Sequence, residues 1–491
     1  MRIPSAAFLL LGLCATAHAE DLEAYPLSPQ LDRVTDSRVF SSSAVGLHVV
    51  DVRSGDVVFA HDPDVGLNPA STMKVITAAA ALDALGPAYK FVTTVSVDGP
   101  IRGDGTLDGN LYVEGTGDPT FVVEKLWKLV YDLELSGIER ISGDVVFDEG
   151  HFTDEYALVG WTKQRDIERG PSYFPALGAL SLNFNTVAMV VAPGEGVGKP
   201  ARVRLETPAG EYVSVVSKVK TGPVSSKRSV QVKRELVEST MRFTLTGSVP
   251  SAAGASRYYR TVADPTSHYA AAFADMLEER NIEVGGRFKR GDAPSSTREI
   301  LTLRSPPLAS ILMDMNKYSN NFMAEQVLRA LGAAYTGGVG DTAGGLDAVS
   351  AYLERIGVDI STVRLVNGSG LTRQAEIPAS VLTSVLVDMW RNPRIGQEFR
   401  TSLAIAGQDG TLWRRLTDDP GRLRGKTGTI DGVHCLAGYV LNEQGDEFAF
   451  AFMVNDISGG ISSVKRLHDQ FARAMFAADP APGGVAEGTN E

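Results

Sequence analysis

Ser71 and Lys74 lie three residues apart in the stretch GLNPASTMKVITAAAALDALGP, residues 66–87. A serine hydroxyl attacks an acyl carbon when a nearby base removes its proton, and a lysine serves as that base when burial or a second cation lowers its pKa. Residues at i and i+3 of a helix share one face. The pair therefore predicts acyl transfer through a covalent serine intermediate.

The residues around this pair predict where its helix begins and ends. Asn68 suits an N-cap and Pro69 suits the first helical position, which places Ser71 in the first turn. The free backbone N–H groups and the helix dipole there favour a developing negative charge. The alanine-rich body predicts a helix that passes through a tightly packed core, and the Gly-Pro pair at 86–87 predicts its end.

Two further motifs follow in order along the chain: Ser319-Asn320-Asn321 and Lys426-Thr427-Gly428-Thr429. Each motif alone is weak, because the chain contains decoys. S-x-x-K recurs at Ser217/Lys220 and Ser462/Lys465, S-x-N at Ser181-Leu182-Asn183, and K-T-G at Lys220-Thr221-Gly222. Only the set that begins at Ser71 and Lys74 is significant, because its three motifs occur together and in order along the chain.

S-x-x-K followed by S-x-N and K-T-G is the motif set of penicillin-binding proteins and class A β-lactamases. The chain resembles one group of these, the class C low-molecular-weight penicillin-binding proteins, which are serine D-Ala-D-Ala carboxypeptidases and endopeptidases of bacterial cell walls. The 248 positions from Ser71 to Ser319 look like the large insertion of that family. The stretches LYVEGTGDPTF, ALSLNFNTV and NGSGLTR also resemble it, although the family usually has Asp where Asn367 stands.

The resemblance implies roles for the first two motifs. Ser71 would attack the carbonyl of the penultimate D-alanine to form an acyl-enzyme, and Lys74 would be its general base. Ser319 would relay a proton to the leaving amine. Asn321 would hydrogen-bond both the substrate and Lys74.

The third motif would bind the substrate. Lys426 supplies a positive charge for the C-terminal carboxylate of a D-Ala-D-Ala peptide, with the Thr427 and Thr429 hydroxyls as further donors. Gly428 has no side chain, so the peptide could lie extended against the strand. The backbone N–H groups of Ser71 and Thr429 would form the oxyanion hole.

The same resemblance implies covalent inhibition by β-lactams. A penicillin presents a strained amide and a carboxylate in the arrangement of the substrate, so it should acylate Ser71. The chain has no clear counterpart of the deacylating glutamate of class A β-lactamases, so release should be slow. No cofactor and no metal is expected, because the histidines, His434 and His468 among them, lack metal-binding spacing and suit surface or core positions.

The elements around the motifs predict an α/β (α+β) fold. Residues 45–60 predict a β-hairpin, residues 432–456 predict two strands around a turn at 442–446, and residues 462–478 predict a closing amphipathic helix. One antiparallel sheet would then form from both chain ends and be flanked by helices, as in a penicillin-binding/β-lactamase-like domain. Short β-like runs between Gly, Pro and Asp turns predict a large β-rich insertion.

These patterns divide the chain into predicted regions. The catalytic domain would comprise residues 24–92 and 263–479, and the insert, residues 93–262, could divide into two subdomains. Residues 480–491 suit a disordered tail. Residues 1–19 fit a cleavable secretory signal, which places the mature protein in the periplasm. Lipidation at Cys14 is disfavoured by the bulky Leu13, and loss of Cys14 would leave Cys435, expected in the core, without a disulfide partner.

Composition narrows the partners, and two rival functions stay open. The formal net charge of −12 argues against a nucleic-acid partner, and no later stretch approaches the roughly 18 apolar residues of a membrane span. The expected partners are peptidoglycan peptides and β-lactams. The rivals are a β-lactamase or esterase on the same fold, and a peptidoglycan-binding scaffold with residual catalysis. The balance of carboxypeptidase and endopeptidase activity also stays open.

Overall fold

The computed structural model describes residues 28–478 except Thr162 and Gly459. The predicted signal at 1–19 and the predicted tail at 480–491 lie outside these residues. The α-helices are α1 (Ser28–Thr35), α2 (Met73–Leu85), α3 (Val123–Leu135), α4 (Gln164–Arg169), α5 (Pro265–Glu279), α6 (Leu308–Lys317), α7 (Asn321–Thr336), α8 (Thr342–Arg355), α9 (Ala379–Arg391), α10 (Gly396–Ser402) and α11 (Ile461–Phe476).

The strands follow one another between these helices. They are β1 (Ala44–Asp51), β2 (Val57–His61), β3 (Val92–Val97), β4 (Thr106–Leu107), β5 (Leu111–Gly115), β6 (Arg140–Ile141), β7 (Val145–Asp148), β8 (Thr186–Ala192), β9 (Arg202–Leu205), β10 (Val213–Ser217), β11 (Lys220–Gly222), β12 (Gln231–Val237), β13 (Thr240–Thr246), β14 (Ser248–Pro250), β15 (Ser256–Thr261), β16 (Glu283–Val284), β17 (Phe288–Arg290), β18 (Arg298–Arg304), β19 (Ala404–Ile405), β20 (Leu423–Ile430), β21 (Val433–Leu441) and β22 (Glu447–Asn455).

A six-stranded sheet in the order β19-β20-β21-β22-β1-β2 organises the molecule. Its neighbouring strands all pair antiparallel. Both predicted hairpins are confirmed: β1 pairs with β2 and β21 pairs with β22. Because β1 lies along β22, the sheet is built from the two chain ends, as the sequence predicts. The third motif lies on β20.

The two faces of this sheet are buried in different cores. On β21, Cys435, Ala437 and Tyr439 face a core shared with α2, α7 and α9. The alternate residues Leu436 and Val440 face a second core shared with α1 and α11. Strand alternation produces this division, and it confirms that Cys435 is a core residue.

Helix α2 passes through the first core, as its composition predicts. Every residue from Met73 to Leu82 is buried. Alanine side chains let neighbouring helices approach closely, because little side-chain volume separates the backbones. The helix that follows Ser71 is thereby fixed on all sides.

The inserted region contains the predicted strands, and it also takes in residues beyond 262. A five-stranded sheet has the order β17-β7-β5-β3-β18, so strands from 288–304 complete it. Helix α5 packs with α3 on this sheet, although the sequence assigned residues 267–281 to the catalytic domain. The helices α3 and α4 were not expected in a β-rich stretch. Local patterns do not reveal pairing between strands this far apart in sequence.

The architecture is a mixed α/β fold, in which the six-stranded sheet is antiparallel and the five-stranded sheet combines parallel and antiparallel pairs. Smaller sheets, β15-β8-β9 and β10-β13-β12, enclose a separate apolar core within the inserted region. In the part of the chain that the structure describes, no helix is both long and apolar enough to cross a membrane.

Replacing Phe450 by alanine should destabilise the six-stranded sheet. Phe450 is fully buried on β22, and its ring lies 5.1 Å from that of Phe471 on α11. The expected loss is about 3–5 kcal/mol of unfolding free energy, measured by urea denaturation followed by circular dichroism. Leu441→Ala, at a position that is 40% exposed, is the control and should lose under about 1 kcal/mol. Equal losses in the two variants would contradict this account of the core.

Candidate active site

Ser71 lies in a 3-10 turn at Ala70–Thr72, and α2 begins after it at Met73. The sequence placed Ser71 in the first α-helical turn with Asn68 as N-cap, and this is wrong in detail. Asn68 Oδ1 instead accepts the Ala70 N–H at 2.9 Å and holds the turn before the helix. Ala70 has a positive φ of 44°. This sharp turn, and not a regular helix start, presents Ser71.

Lys74 lies fully buried beneath Ser71. Its Nζ donates to Ser71 Oγ at 3.1 Å, to Asn321 Oδ1 at 2.8 Å and to the Ser369 carbonyl at 2.7 Å. Burial lowers the pKa of Lys74 to about 7, while the nearby Glu325 carboxylate acts in the opposite direction. Near neutral pH a substantial fraction of this amine is uncharged, so it can accept a proton from Ser71.

The second motif lies in the tight link between α6 and α7. Ser319 has a positive φ of 56°, and Asn320 caps α7 by accepting the Met323 N–H at 3.1 Å. Asn321 donates from Nδ2 to the Tyr173 carbonyl at 2.8 Å. The motif therefore serves both as a helix cap, through Asn320, and as part of the site, through Ser319 and Asn321.

Lys426 joins the third motif to the second. It is fully buried, and its Nζ donates to Ser319 Oγ at 2.8 Å and to the Thr427 carbonyl at 2.6 Å. Burial lowers the pKa of Lys426 well below its usual value, and the charge of Lys74 lowers it further. The structure thus brings two buried lysines and two serines of the three motifs into one site.

Strand β20 passes directly against the turn that carries Ser71. A Cβ atom added at Gly428 would lie 2.6 Å from the Pro69 carbonyl oxygen and 3.1 Å from the Ser71 nitrogen. On the other side of the strand, Thr427 Oγ1 donates to Thr411 Oγ1 at 2.8 Å, and Thr429 is exposed. All eight predicted site residues therefore belong to one cluster.

Glu325 is a site residue that the sequence reasoning missed. It is buried, and its carboxylate accepts the N–H groups of Gly368 at 3.1 Å and Ser369 at 2.8 Å. It thereby holds the turn whose Ser369 carbonyl accepts from Lys74. Burial raises the pKa of Glu325. A glutamate one helical turn after Asn321, directly after the apolar run at 322–324, was the available signal.

Asn367 begins the same turn, and its side chain forms hydrogen bonds to the backbone. Its Oδ1 accepts the Gly370 N–H at 2.9 Å, and its Nδ2 donates to the Val159 carbonyl at 2.9 Å. Both contacts are to the backbone. An amide can donate and accept at once, which explains how asparagine serves at a position where an aspartate was expected.

The decoy motifs lie on segments other than those that carry the Ser71, Ser319 and Lys426 motifs. Ser217 and Lys220 are exposed on strands of the inserted region, and Ser462 and Lys465 are exposed on α11. Ser181 donates to the Gly178 carbonyl at 2.9 Å within its own loop. Their interpretation as coincidental matches agrees with these positions.

Comparison with known proteins gives one consistent result. The model of the D-Ala-D-Ala carboxypeptidase 3 (S13) family matches residues 27–475. A D-alanyl-D-alanine carboxypeptidase of an Actinomadura species is 30% identical over 499 residues, which cover 98% of this chain and 91% of that protein.

Solved structures agree with the family match. The crystal structure of penicillin binding protein 4 from Haemophilus influenzae has a TM-score of 0.79 at 24% identity, covering 92% of this chain and 99% of that one. The same protein complexed with a β-lactam has a TM-score of 0.74 at 25% identity, covering 90% and 99%.

The lowered pKa of Lys74 predicts a pH dependence of Ser71 acylation. Below pH about 7 the amine is protonated and cannot accept the Ser71 proton, so the rate should fall by about tenfold per pH unit. Above that pH it should level off. Stopped-flow acylation by a fluorescent penicillin measures the profile. Glu325→Gln removes a carboxylate that raises the Lys74 pKa, so the inflection of the rate profile of this variant should lie at lower pH. An inflection at the wild-type pH would contradict the assignment of Lys74 as the base.

Gly428→Ala should block acylation without unfolding the protein. The added methyl group would approach the Pro69 carbonyl oxygen to 2.6 Å and displace the strand from the Ser71 turn. We expect a loss of about 100-fold or more in the acylation rate constant, measured by fluorescent-penicillin labelling. Gly103→Ala is the matched control, because a Cβ there meets nothing within 4 Å. Similar labelling of both variants would show that the close approach is unimportant.

Proposed function

Because the chain belongs to the D-Ala-D-Ala carboxypeptidase 3 (S13) family, we propose how its site performs the reaction of that family. The protein is a serine-type D-Ala-D-Ala carboxypeptidase and a penicillin-binding protein. The observation that carries the assignment of roles is the contact of the buried Lys74 Nζ with Ser71 Oγ at 3.1 Å.

Acylation begins at this contact. Neutral Lys74 takes the Ser71 hydroxyl proton while Ser71 Oγ attacks the carbonyl carbon of the penultimate D-alanine. The C–N bond to the terminal D-alanine then breaks, and the proton that Lys74 has taken passes through the Ser319 hydroxyl to the leaving amine, which returns Lys74 to its neutral form. A water molecule later attacks the acyl-enzyme ester, with Lys74 again as the base, and regenerates free Ser71.

The substrate carboxylate binds at the third motif. Lys426 Nζ donates to Ser319 Oγ. Because side chains alternate along a strand, Thr427 and Thr429 both lie on the other face of β20. Burial and Lys74 depress the pKa of Lys426, so a bound carboxylate supplies the opposite charge that favours its ammonium form. The peptide would lie extended along β20, with its scissile oxygen between the N–H groups of Ser71 and Thr429.

The substrates would be peptidoglycan peptides that end in D-Ala-D-Ala. Peptidoglycan lies outside the cytoplasm, which agrees with the predicted secretory signal and periplasmic location. β-Lactams would acylate Ser71 in place of the peptide. The assembled catalytic groups support an enzyme over a scaffold with residual catalysis, and the family supports a carboxypeptidase over a β-lactamase or esterase. Cleavage of cross-links by the same site is a second activity that muropeptide digestion would detect.

Ser71→Ala should abolish both activities of the site. We expect the release of D-alanine from a D-Ala-D-Ala peptide to fall by about 1,000-fold or more, and the mass of a penicillin adduct to disappear. Intact-mass spectrometry and peptide mapping locate the adduct. Ser462→Ala, in an exposed decoy S-x-x-K on α11, is the matched control and should behave as wild type. D-Alanine release that persists in Ser71→Ala would overturn the assigned nucleophile.

A further inference from the structure

His434 is a buried residue next to the third motif that the reaction above does not use. It is 1% exposed and faces Thr429 directly across the β20–β21 pair. Its Nδ1 lies 2.8 Å from Thr429 Oγ1. Directly opposed residues of antiparallel strands point to the same face. The sheet register, and not a flexible loop, therefore sets this contact.

The other side of the His434 ring is held by α11. The ring of His468 stacks on it, with centroids 5.1 Å apart and an angle of 17° between the planes. His468 is fully buried and also contacts the Phe452 ring at 4.4 Å. Close packing of this kind restricts rotation of the imidazole. Its Nδ1 is therefore kept on the side of Thr429.

His434 is uncharged in this environment. Burial lowers its pKa to about 3, and the charges of Arg415 and Lys465 lower it further, while the Gly428 backbone acts in the opposite direction. The Arg415 guanidinium itself pairs with Asp469 at 2.7 Å. A neutral imidazole carries its proton on one of its two nitrogens. The function of the Thr429 contact depends on which nitrogen that is.

The surroundings favour a proton on Nδ1. Nε2 of His434 is buried and has no hydrogen-bond partner among the described residues. A proton on Nε2 would leave a buried N–H donor unpaired, which is costly. A proton on Nδ1 is donated to Thr429 Oγ1. The Thr429 hydroxyl then keeps its own proton for another acceptor, and its side chain is exposed where that acceptor can reach it.

We propose that His434 is a positioning residue that donates its Nδ1 proton to Thr429 Oγ1 and so directs the Thr429 hydroxyl proton toward the substrate carboxylate. This role rests on the proposed function, in which Thr429 binds that carboxylate. A free threonine hydroxyl rotates among staggered positions, and His434 removes those in which its proton points back into the sheet. The effect therefore acts on binding of the carboxylate and not on bond cleavage.

Two amide variants separate this role from simple packing. Asparagine at 434 can place an N–H group near the position of Nδ1, whereas the longer glutamine side chain places its amide nearer the position of Nε2. The substrates are two D-alanyl thioesters whose leaving groups carry either a carboxylate or a carboxamide. With the carboxylate thioester, His434→Gln should raise KM about five- to tenfold and change kcat by less than about twofold, while His434→Asn should stay near wild type.

The controls decide what kind of role His434 has. With the carboxamide thioester, His434→Gln should match wild type, and in a Thr429→Val background it should add no further loss. Equal losses on both thioesters would show a structural role and overturn the proposal, as would an unchanged KM on the carboxylate thioester. If Ser71→Ala still turns over either thioester, the proposed function fails, and that failure is independent of the His434 variants.

A measurement on the unmodified protein tests the proposal even if the variants fold poorly. The ¹⁵N chemical shifts of a histidine-labelled sample distinguish a protonated Nδ1 from a protonated Nε2. A protonated Nδ1 on His434 is expected, with His434→Asn serving only to assign the resonance. A protonated Nε2 would mean that Thr429 donates to His434, and it would overturn the proposal.

Discussion

The burial of Lys74 among three acceptors is the constraint on which the rest of the site depends. An ammonium group without water must be paired or lose its proton, and here its acceptors come from Ser71, Asn321 and Ser369. Each acceptor belongs to a different segment of the chain. The turn before α2, the first residue of α7 and the turn at 367–370 must therefore assemble together before the hydrogen bonds of Lys74 can form.

The glycines explain how these segments come close enough. Gly370 has a positive φ of 73°, and a Cβ there would lie 1.8 Å from the Ala70 carbonyl oxygen. Gly428 allows β20 to approach the same Ser71 turn from the other side. The nucleophile is thus held between two backbone segments. Its position is therefore set by contacts of the main chain as well as by the side chains around it.

The sequence could predict the residues of the reaction better than the residues that hold them in place. Ser71, Lys74, Ser319 and Lys426 were singled out because three motifs occur together and in the order of a known superfamily. Glu325 and His434 were missed, since each acts through a partner that is distant in sequence or across a strand pair. The hairpins at both chain ends are local and were predicted. The pairing of β18 with β3, which draws residues 298–304 into the inserted sheet, depends on contacts far apart in sequence.

The charges of the site explain why a free carboxylate should matter so much to this enzyme. Lys74 and Lys426 are both fully buried, and Lys74 depresses the pKa of Lys426. The Glu325 carboxylate favours the charged form of Lys74 by raising its pKa, and it also holds the turn that contains Ser369. Lys426 instead has neutral acceptors, the Ser319 hydroxyl and the Thr427 carbonyl. An anion bound beside it would relieve the unfavourable burial of its charge, so substrate binding and the charge state of Lys426 must be coupled.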